Sequence, residues 1–172
     1  MEGSYRRQCQ DPAAEYTPHV DPDDRRRLID TYSGALSVFE AAVETAKNRD
    51  LTKRPSPDNW SPAEVIHHIA DTEVIASGRL RMLLARDGVP IMGYDEEMLG
   101  RAADPVKRPV DESLQLIRSL HTANLSLLKT LHLKPWDHNG VHEEGGRYGV
   151  DTWVTRRVDH LRGHAEQLRT GS

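Results

Sequence analysis

Four stretches of the chain carry apolar residues three and four positions apart, the spacing that places side chains on one face of an α-helix. These stretches predict helices over the following residues: 24–48, 61–86, 111–132 and 150–169. Each helix has about five to seven turns at 3.6 residues per turn. The residues between them show no convincing strand pattern. The sequence therefore predicts an all-α fold, a four-helix bundle in which each helix buries its apolar face.

The connections between the predicted helices set the domain organisation. Residues 1–22 are polar and contain three prolines, so we expect an N-terminal arm, with the bundle domain spanning residues 23–170. Long connections, at residues 89–108 and 134–149, separate the second helix from the third and the third from the fourth. We expect one short helical turn at residues 95–101. With such long connections, helices adjacent in the chain need not pack as simple antiparallel pairs.

Composition argues against several classes of function. The net charge is −4 and the only basic run is Arg25–Arg27, so the basic face of a nucleic-acid-binding protein is missing. No stretch of about 18 successive apolar residues is present, so we expect no membrane span. Cys9 is the only cysteine, which leaves no internal disulfide. The first residues lack the apolar run of a signal peptide, and we expect a cytoplasmic protein.

A histidine pair lies inside the second helix, shortly after a well-marked helix start. Ser61 and Glu64 have the spacing of a capping box, and Pro62 occupies the first helical position. At about 100° per residue, His68 falls roughly 105° from the centre of the apolar face and His67 roughly 155° away. We therefore expect His68 at the margin of the bundle interior and His67 directed at water. A rotated helix would make His67 the alternative.

The last helix carries a second histidine pair, His160 and His164, spaced i, i+4 so that both project from one face. With His68 they would supply three imidazoles, the number of protein ligands in a catalytic metal site. Imidazole binds zinc, nickel, copper and iron, so the metal itself stays open. A fourth position would be free for water or a thiol. The alternative is coincidence, because nine histidines make some i, i+4 spacing unsurprising.

The remaining histidines and the tryptophans are assigned structural roles. His138 and His142 are also four apart, but Gly140 lies between them, so we interpret both as loop residues that at most line the mouth of a substrate site. Three further histidines are expected at the surface or in packing: His19, His121 and His132. Three tryptophans are expected to anchor the core: Trp60, Trp136 and Trp153. Trp136 lies in a long connection and could instead wall a pocket.

Four segments in this order resemble those of the DinB/YfiT-like superfamily. The helix start WSPAEVIHHIAD resembles the family's signature, and VDHLRGHAEQL resembles its closing HxxxH helix. Between them, GVPIMGYDEEML and HEEGGRYGVDTW resemble the segments that follow the second helix and precede the last one. The resemblance extends from about Asp24 to Arg169 and is closest to the YfiT branch.

The resemblance implies a four-helix bundle holding a divalent metal, zinc or nickel, on His68, His160 and His164. The family includes proteins described as metal-dependent hydrolases, thiol S-transferases that use bacillithiol or mycothiol, and a thiol-dependent maleylpyruvate isomerase. Homodimers are common in it. We thus expect an enzyme whose metal activates water or a low-molecular-weight thiol against a small-molecule substrate. The alternative is a non-catalytic, metal-stabilised helical module that serves binding or a stress response.

Several acidic and aromatic residues are candidates for the surroundings of the metal. Asp71, three residues after a predicted ligand, either orients an imidazole or is a solvated helix acid. Glu73 and Asp159 are candidates for a general base. Tyr94 and Asp95 match the family's YDE segment and either edge the pocket or cap a short turn. No nucleophilic serine or cysteine motif is present, so a nucleophile would come from the metal's open position.

Overall fold

A computed structural model describes residues 20–102, 108–143 and 146–171. Cys9, His19 and nearly all of the expected N-terminal arm lie outside these residues. Among the described residues, every helix is too short or too polar to cross a membrane.

Four long helices form the bundle in the described part of the chain, and their bounds agree with the predicted ones to within a few residues. They are α1 (Pro22–Ala46), α2 (Pro62–Ala85), α4 (Val110–Thr130) and α5 (Val150–Thr170). A short helix, α3 (Glu96–Ala102), confirms the turn expected in the first long connection. A single 3₁₀ turn, Lys134–Asp137, opens the second long connection. The all-α bundle is therefore confirmed as the frame of the molecule.

The helices pack in the ring α1–α5–α2–α4, so α1 and α2, which are consecutive in the chain, lie diagonally across the bundle. The closest pair is α1 and α5. Three alanines of α1, Ala35, Ala42 and Ala46, are fully buried in the core. The other diagonal pair, α4 and α5, is joined by one of the two long connections, which agrees with the expectation that such helices need not form hairpins. The ring order also sets α2 beside α5, the two helices that carry the histidine pairs.

The start of α2 is held by the predicted capping box. The Glu64 amide donates to Ser61 Oγ at 3.3 Å, and the Ser61 amide donates to Glu64 Oε2 at 2.7 Å. Two of the unpaired amides at the helix start are thereby satisfied, which typically contributes about 1 kcal/mol. Pro62 follows at the first helical position, as predicted. This cap fixes where α2 begins and hence where its histidines lie.

The prediction that no strand forms was wrong. Three short strands pair among the described residues, in the order β1 (Val89–Ile91), β2 (Asn139–His142) and β3 (Arg147–Gly149), with β1 and β2 parallel and β2 and β3 antiparallel. Strands of three or four residues are too short to display an alternating pattern. Their pairing joins two connections that are remote in sequence.

Gly140 lets β1 and β2 approach each other closely. A Cβ atom at this position would lie 2.6 Å from Ile91 Cγ1 and 2.8 Å from the Val89 carbonyl oxygen, so any other residue would push the strands apart. The pairing register sets Ile91 opposite His142. The small sheet thus ties both long connections together and brings β2 and β3 to one end of the bundle.

Two of the three tryptophans anchor the core, as predicted. Trp136 is almost fully buried, with the Arg25 guanidinium 5.8 Å from its ring centroid. Trp153 is fully buried, and its indole N–H donates to the Ala76 carbonyl oxygen at 2.7 Å. Trp60 is only half-buried. It packs against two histidines, because it precedes α2 at the edge of the core rather than within it.

Candidate metal centre

His68 of α2 and His160 and His164 of α5 come together where the two helices meet. One ring nitrogen from each residue lies within 4.8 Å of the others, and His68 Nε2 lies 3.0 Å from His160 Nε2. Two nitrogens bound to one tetrahedral zinc at about 2.0–2.1 Å are about 3.3 Å apart. The spacing of this His triad therefore suits a single ion.

Burial keeps the His triad in the form that binds metal. Burial lowers the pKa of His68 to about 4, with smaller contributions from His164 and the Arg157 charge. It lowers the pKa of His160 to about 2, again helped by Arg157. The pKa of His164 is also lowered, chiefly by burial. At neutral pH all three imidazoles are therefore neutral, and each keeps a lone pair for an ion.

Neighbouring side chains orient the rings. His164 Nδ1 donates to Gln167 Oε1 at 2.8 Å, which leaves Nε2 of His164 as the acceptor nitrogen. The Trp60 ring lies 4.8 Å from that of His68, and 6.4 Å from and nearly parallel to that of His164, so it shields one side of the triad. Sequence reasoning missed Gln167. Its i+3 spacing from His164 on one helix was the available signal.

The donor set fits a divalent first-row ion. Three neutral imidazoles converge, and one of them is oriented by an amide oxygen. Imidazole sites of this kind suit zinc and nickel. Three protein ligands leave a coordination position open, as in catalytic zinc sites.

An acidic side chain that the sequence analysis did not single out, Glu96, lies beside the triad. Glu96 Oε2, from the first turn of α3, is 3.8 Å from His68 Nε2. Glu96 belongs to the YDEE segment and follows the Asp95 that was considered, so the signal was present. The neighbouring Asp95 caps α3 instead, since its Oδ1 accepts a bond from the Met98 amide at 2.8 Å.

The three acidic candidates from the sequence have different surroundings. Asp71 accepts two bonds from Arg108, at 2.6 and 2.8 Å, so an ion pair takes the place of both alternatives from the sequence, an imidazole partner and a solvated helix acid. Glu73 is fully buried, and burial raises its pKa although Arg157 Nη1 lies 3.4 Å away. Asp159 is exposed at the rim of a cavity beside the triad. None of the three is as close to the triad's ring nitrogens as Glu96 is.

The prediction that His67 points to water was wrong. Its side chain is only 1% exposed, and Nδ1 lies 2.8 Å from Ser113 Oγ at the start of α4. Helix α4 covers the side of α2 opposite its apolar stripe, which a helical projection of α2 alone cannot reveal. Of the adjacent histidines, only His68 belongs to the triad.

A cavity of about 360 Å³ opens beside His160. Tyr94, Tyr148 and Glu96 line it, so of the two alternatives for Tyr94, edging a pocket or capping a short turn, the structure supports the first. His142 also lines it, from strand β2 rather than from a loop. His138 lies apart, with Nδ1 donating to the Leu83 carbonyl oxygen at 2.9 Å. A second cavity of about 570 Å³ lies between α1 and α5, but no triad residue lines it.

Residues 31–168 match the family model of the DinB superfamily. A protein of Halalkalibacterium halodurans, whose provisional name is metal-dependent hydrolase, is 33% identical over 150 residues, covering 87% of each chain. A protein of Oceanobacillus iheyensis with the same provisional name is 23% identical over 143 residues, covering 83% of this chain and 80% of its own length.

Two solved structures are similar to this chain. YfiT from Bacillus subtilis, provisionally a metal-dependent hydrolase with an unusual four-helix bundle topology, superposes with a TM-score of 0.78 at 22% identity over 94% of each chain. The mycothiol-dependent maleylpyruvate isomerase has a TM-score of 0.64 at 14% identity, over 84% of this chain and 60% of its own. At these identities the two structures establish a shared fold.

Proposed function

This chain belongs to the DinB superfamily, and we propose that it is a metal-dependent hydrolase in which His68, His160 and His164 hold one ion of zinc or nickel. The observation that carries the proposal is the convergence of three neutral imidazoles beside a polar cavity. When bound, such an ion supplies Lewis acidity that lowers the pKa of water or of a thiol at its open position. Water is the proposed nucleophile.

Glu96 is the proposed general base. Its Oε2 atom, 3.8 Å from His68 Nε2, lies within reach of a group bound next to the triad, so it can accept the proton of the attacking water. In the second half of the reaction the same carboxyl group returns the proton to the leaving group. Trp60 limits access of bulk water on its side of the triad, and Gln167 holds the His164 ring.

A structural metal site and a thiol-transfer enzyme are the alternatives to a hydrolase, and each would use the cavity differently. A purely structural ion would stabilise the bundle and would need neither Glu96 nor an open cavity. A thiol-transfer enzyme would use the same open position for a thiolate instead of water. At 14% identity, the thiol-dependent isomerase supports only the common fold. We therefore propose hydrolysis by water, and assays with and without a thiol distinguish it from thiol transfer.

The test compares metal content with turnover in wild type and Glu96→Gln, using 4-nitrophenyl esters and anilides with and without added low-molecular-weight thiols. We expect about one ion per chain in both proteins and a loss of kcat of about 10²- to 10³-fold in Glu96→Gln, since a general base contributes that much. The matched control is Glu166→Gln, an exposed acid on α5 that pairs with Arg169. It should retain wild-type activity.

Three results would overturn the proposal. If metal-loaded wild type hydrolyses none of the compounds, the ion has a structural role and the protein is not a hydrolase of these compounds. Turnover that appears only when a thiol is present would mark thiol transfer. Full activity in Glu96→Gln would show that Glu96 is not the general base.

A further inference from the structure

The cavity beside His160 is lined by three arginines, Arg79, Arg156 and Arg157. Catalysis as proposed above needs none of them. Arg156 and Arg157 are neighbours on α5, and Arg157 is one turn before His160. A cavity of about 360 Å³ is at the small end of the range for sites that bind small molecules. The arginines therefore surround a space large enough for a small substrate.

Contacts with other side chains hold each guanidinium in place. Arg156 lies over the Tyr148 ring, 5.2 Å from its centroid, and Arg79 lies over the Tyr94 ring at 5.1 Å. Both tyrosines also line the cavity. Stacking on an aromatic face fixes the plane of a guanidinium and leaves its N–H groups free at the edge. Two of the three cations are thus pre-oriented at the cavity wall, and Arg79 is further held by a bond from Nη2 to the Met92 carbonyl oxygen.

Arg157 is largely buried and lies against a buried carboxylate. Its side chain is 11% exposed, and the carboxylate of Glu73 beneath it is 1% exposed, with Nη1 and Oε1 3.4 Å apart. Nε of Arg157 is buried without a hydrogen-bond partner among the described residues. One long bond leaves most of the five donors of this guanidinium unused. Glu73 positions the group without saturating it.

Three carboxylates near the cavity offset the charge of its three arginines, but they lie apart from the arginine wall or beneath it. Glu96 lies on the triad side, beside His68, and Asp159 is exposed at the rim. With Glu73 included, the three carboxylates balance the three arginines. The ion that the triad holds under the proposed function then makes the site cationic. The binding preference of such a site is for an anion whose acidic group reaches the arginines.

We propose that the substrate is an anionic small molecule whose carboxylate or phosphate group binds Arg157 and Arg156. This proposal rests on the proposed function, because the bond to be hydrolysed would lie toward the His triad. Glu73 is a positioning residue for Arg157. Since Arg157 and His160 are one turn apart, the anionic group and the scissile bond would be only a few bonds apart. Small anionic esters or amides are the substrate class.

The test uses two esters with the same leaving group, mono-4-nitrophenyl succinate, which is anionic, and 4-nitrophenyl butyrate, which is neutral. For the metal-loaded full chain we expect kcat/KM to favour the anionic ester by about 10- to 100-fold, the range of a charge-assisted hydrogen-bonded pair. Arg157→Gln should lose most of this preference, measured as the ratio of kcat/KM for the two esters in the same protein, so that any change in the basal rate cancels. The matched control, Arg162→Gln on the same helix, lines only the other cavity and should keep the preference.

A binding measurement separates this proposal from the proposed function. Calorimetric titration of the metal-loaded protein with inorganic phosphate and with succinate should show binding in wild type and a loss of about tenfold or more in Arg157→Gln. The tighter of the two probes identifies the anionic group. Suppose that wild type hydrolyses neither ester but binds the anions, and that Arg157→Gln binds them more weakly. This result would overturn the proposed hydrolysis and support the anion site.

Opposite results would overturn the anion site. Two of these are kinetic: equal kcat/KM for both esters in wild type, or an unchanged preference in Arg157→Gln. The third is anion binding that is equally tight in Arg157→Gln, which would mean that the metal ion binds the anion. If Arg157→Gln does not fold, Arg156→Gln replaces it. Its exposed side chain can be removed without opening the core, and an unchanged preference there would likewise overturn the proposal.

Discussion

Two groups of buried or half-buried histidines occur in the described part of the bundle, and they differ in what surrounds them. The ring nitrogens of His68, His160 and His164 face one another beside a cavity. His67 and His121 are each enclosed by other side chains, His67 against Ser113 and His121 stacked on Tyr32 with ring centroids 4.2 Å apart. Burial lowers the pKa in both groups, to about 4 for His68 and for His121 alike. A lowered pKa therefore does not identify a metal ligand, whereas convergence of ring nitrogens does.

The strongest test of this difference uses two adjacent positions. We expect His68→Ala to retain less than about a tenth of the bound metal, because a His₃ site loses one of its three ligands. His67→Ala should keep about one ion per chain, since its imidazole is no ligand. Metal content of purified, dialysed protein, measured by mass spectrometry, decides between them. Metal retained in His68→Ala but lost in His67→Ala would exchange the two roles.

A smaller effect is expected where a neighbour only orients a ligand. Gln167→Ala removes the acceptor of the His164 Nδ1–H bond, and we expect metal affinity to fall by about 10- to 100-fold. Asp71→Asn breaks the ion pair with Arg108 and should leave metal affinity within about twofold, at a cost in stability of about 1 kcal/mol. Competition with a metal chelator measures both affinities. Equal losses of metal affinity in the two variants would show that Asp71 also orients a metal ligand.

The enclosed histidine His121 should instead make folding sensitive to acid. Burial lowers its pKa from 6.5 to about 4, partly offset by Glu40, so the unfolded chain takes up a proton first as the pH falls. Its neutral form therefore contributes stability above about pH 6.5, and this is lost as the pH falls toward 4. Between pH 7 and 5 the loss from this one residue is about 2 kcal/mol, at about 1.36 kcal/mol per pKa unit.

The variant His121→Phe keeps a ring against Tyr32 but cannot titrate. Urea unfolding at pH 7 and pH 5 should show that wild type loses about 2 kcal/mol more than the variant. The His triad titrates in both proteins, so its contribution cancels in the difference. Equal losses in the two proteins would mean that His121 is hydrated in the folded state.

Features within one or two helical turns could be predicted from the sequence. The bounds of the long helices, the capping box of Ser61 and Glu64, and the shared face of His160 and His164 depend on contacts three or four residues apart. Such contacts follow directly from sequence spacing. The predicted triad came from this spacing together with the family resemblance, and the fold brings its members together.

Only the tertiary structure decided the features that join distant parts of the chain. The pairing of β1 with β2 links connections about 50 residues apart, and the burial of His67 depends on α4. Likewise, Glu96 reaches His68, and Glu73 holds Arg157, only because separate helices pack side by side. No local pattern encodes these approaches, since packing of the whole bundle sets the distances. The sequence by itself determined the helices and their histidine faces, while the tertiary structure determined the cavity and the charges around it.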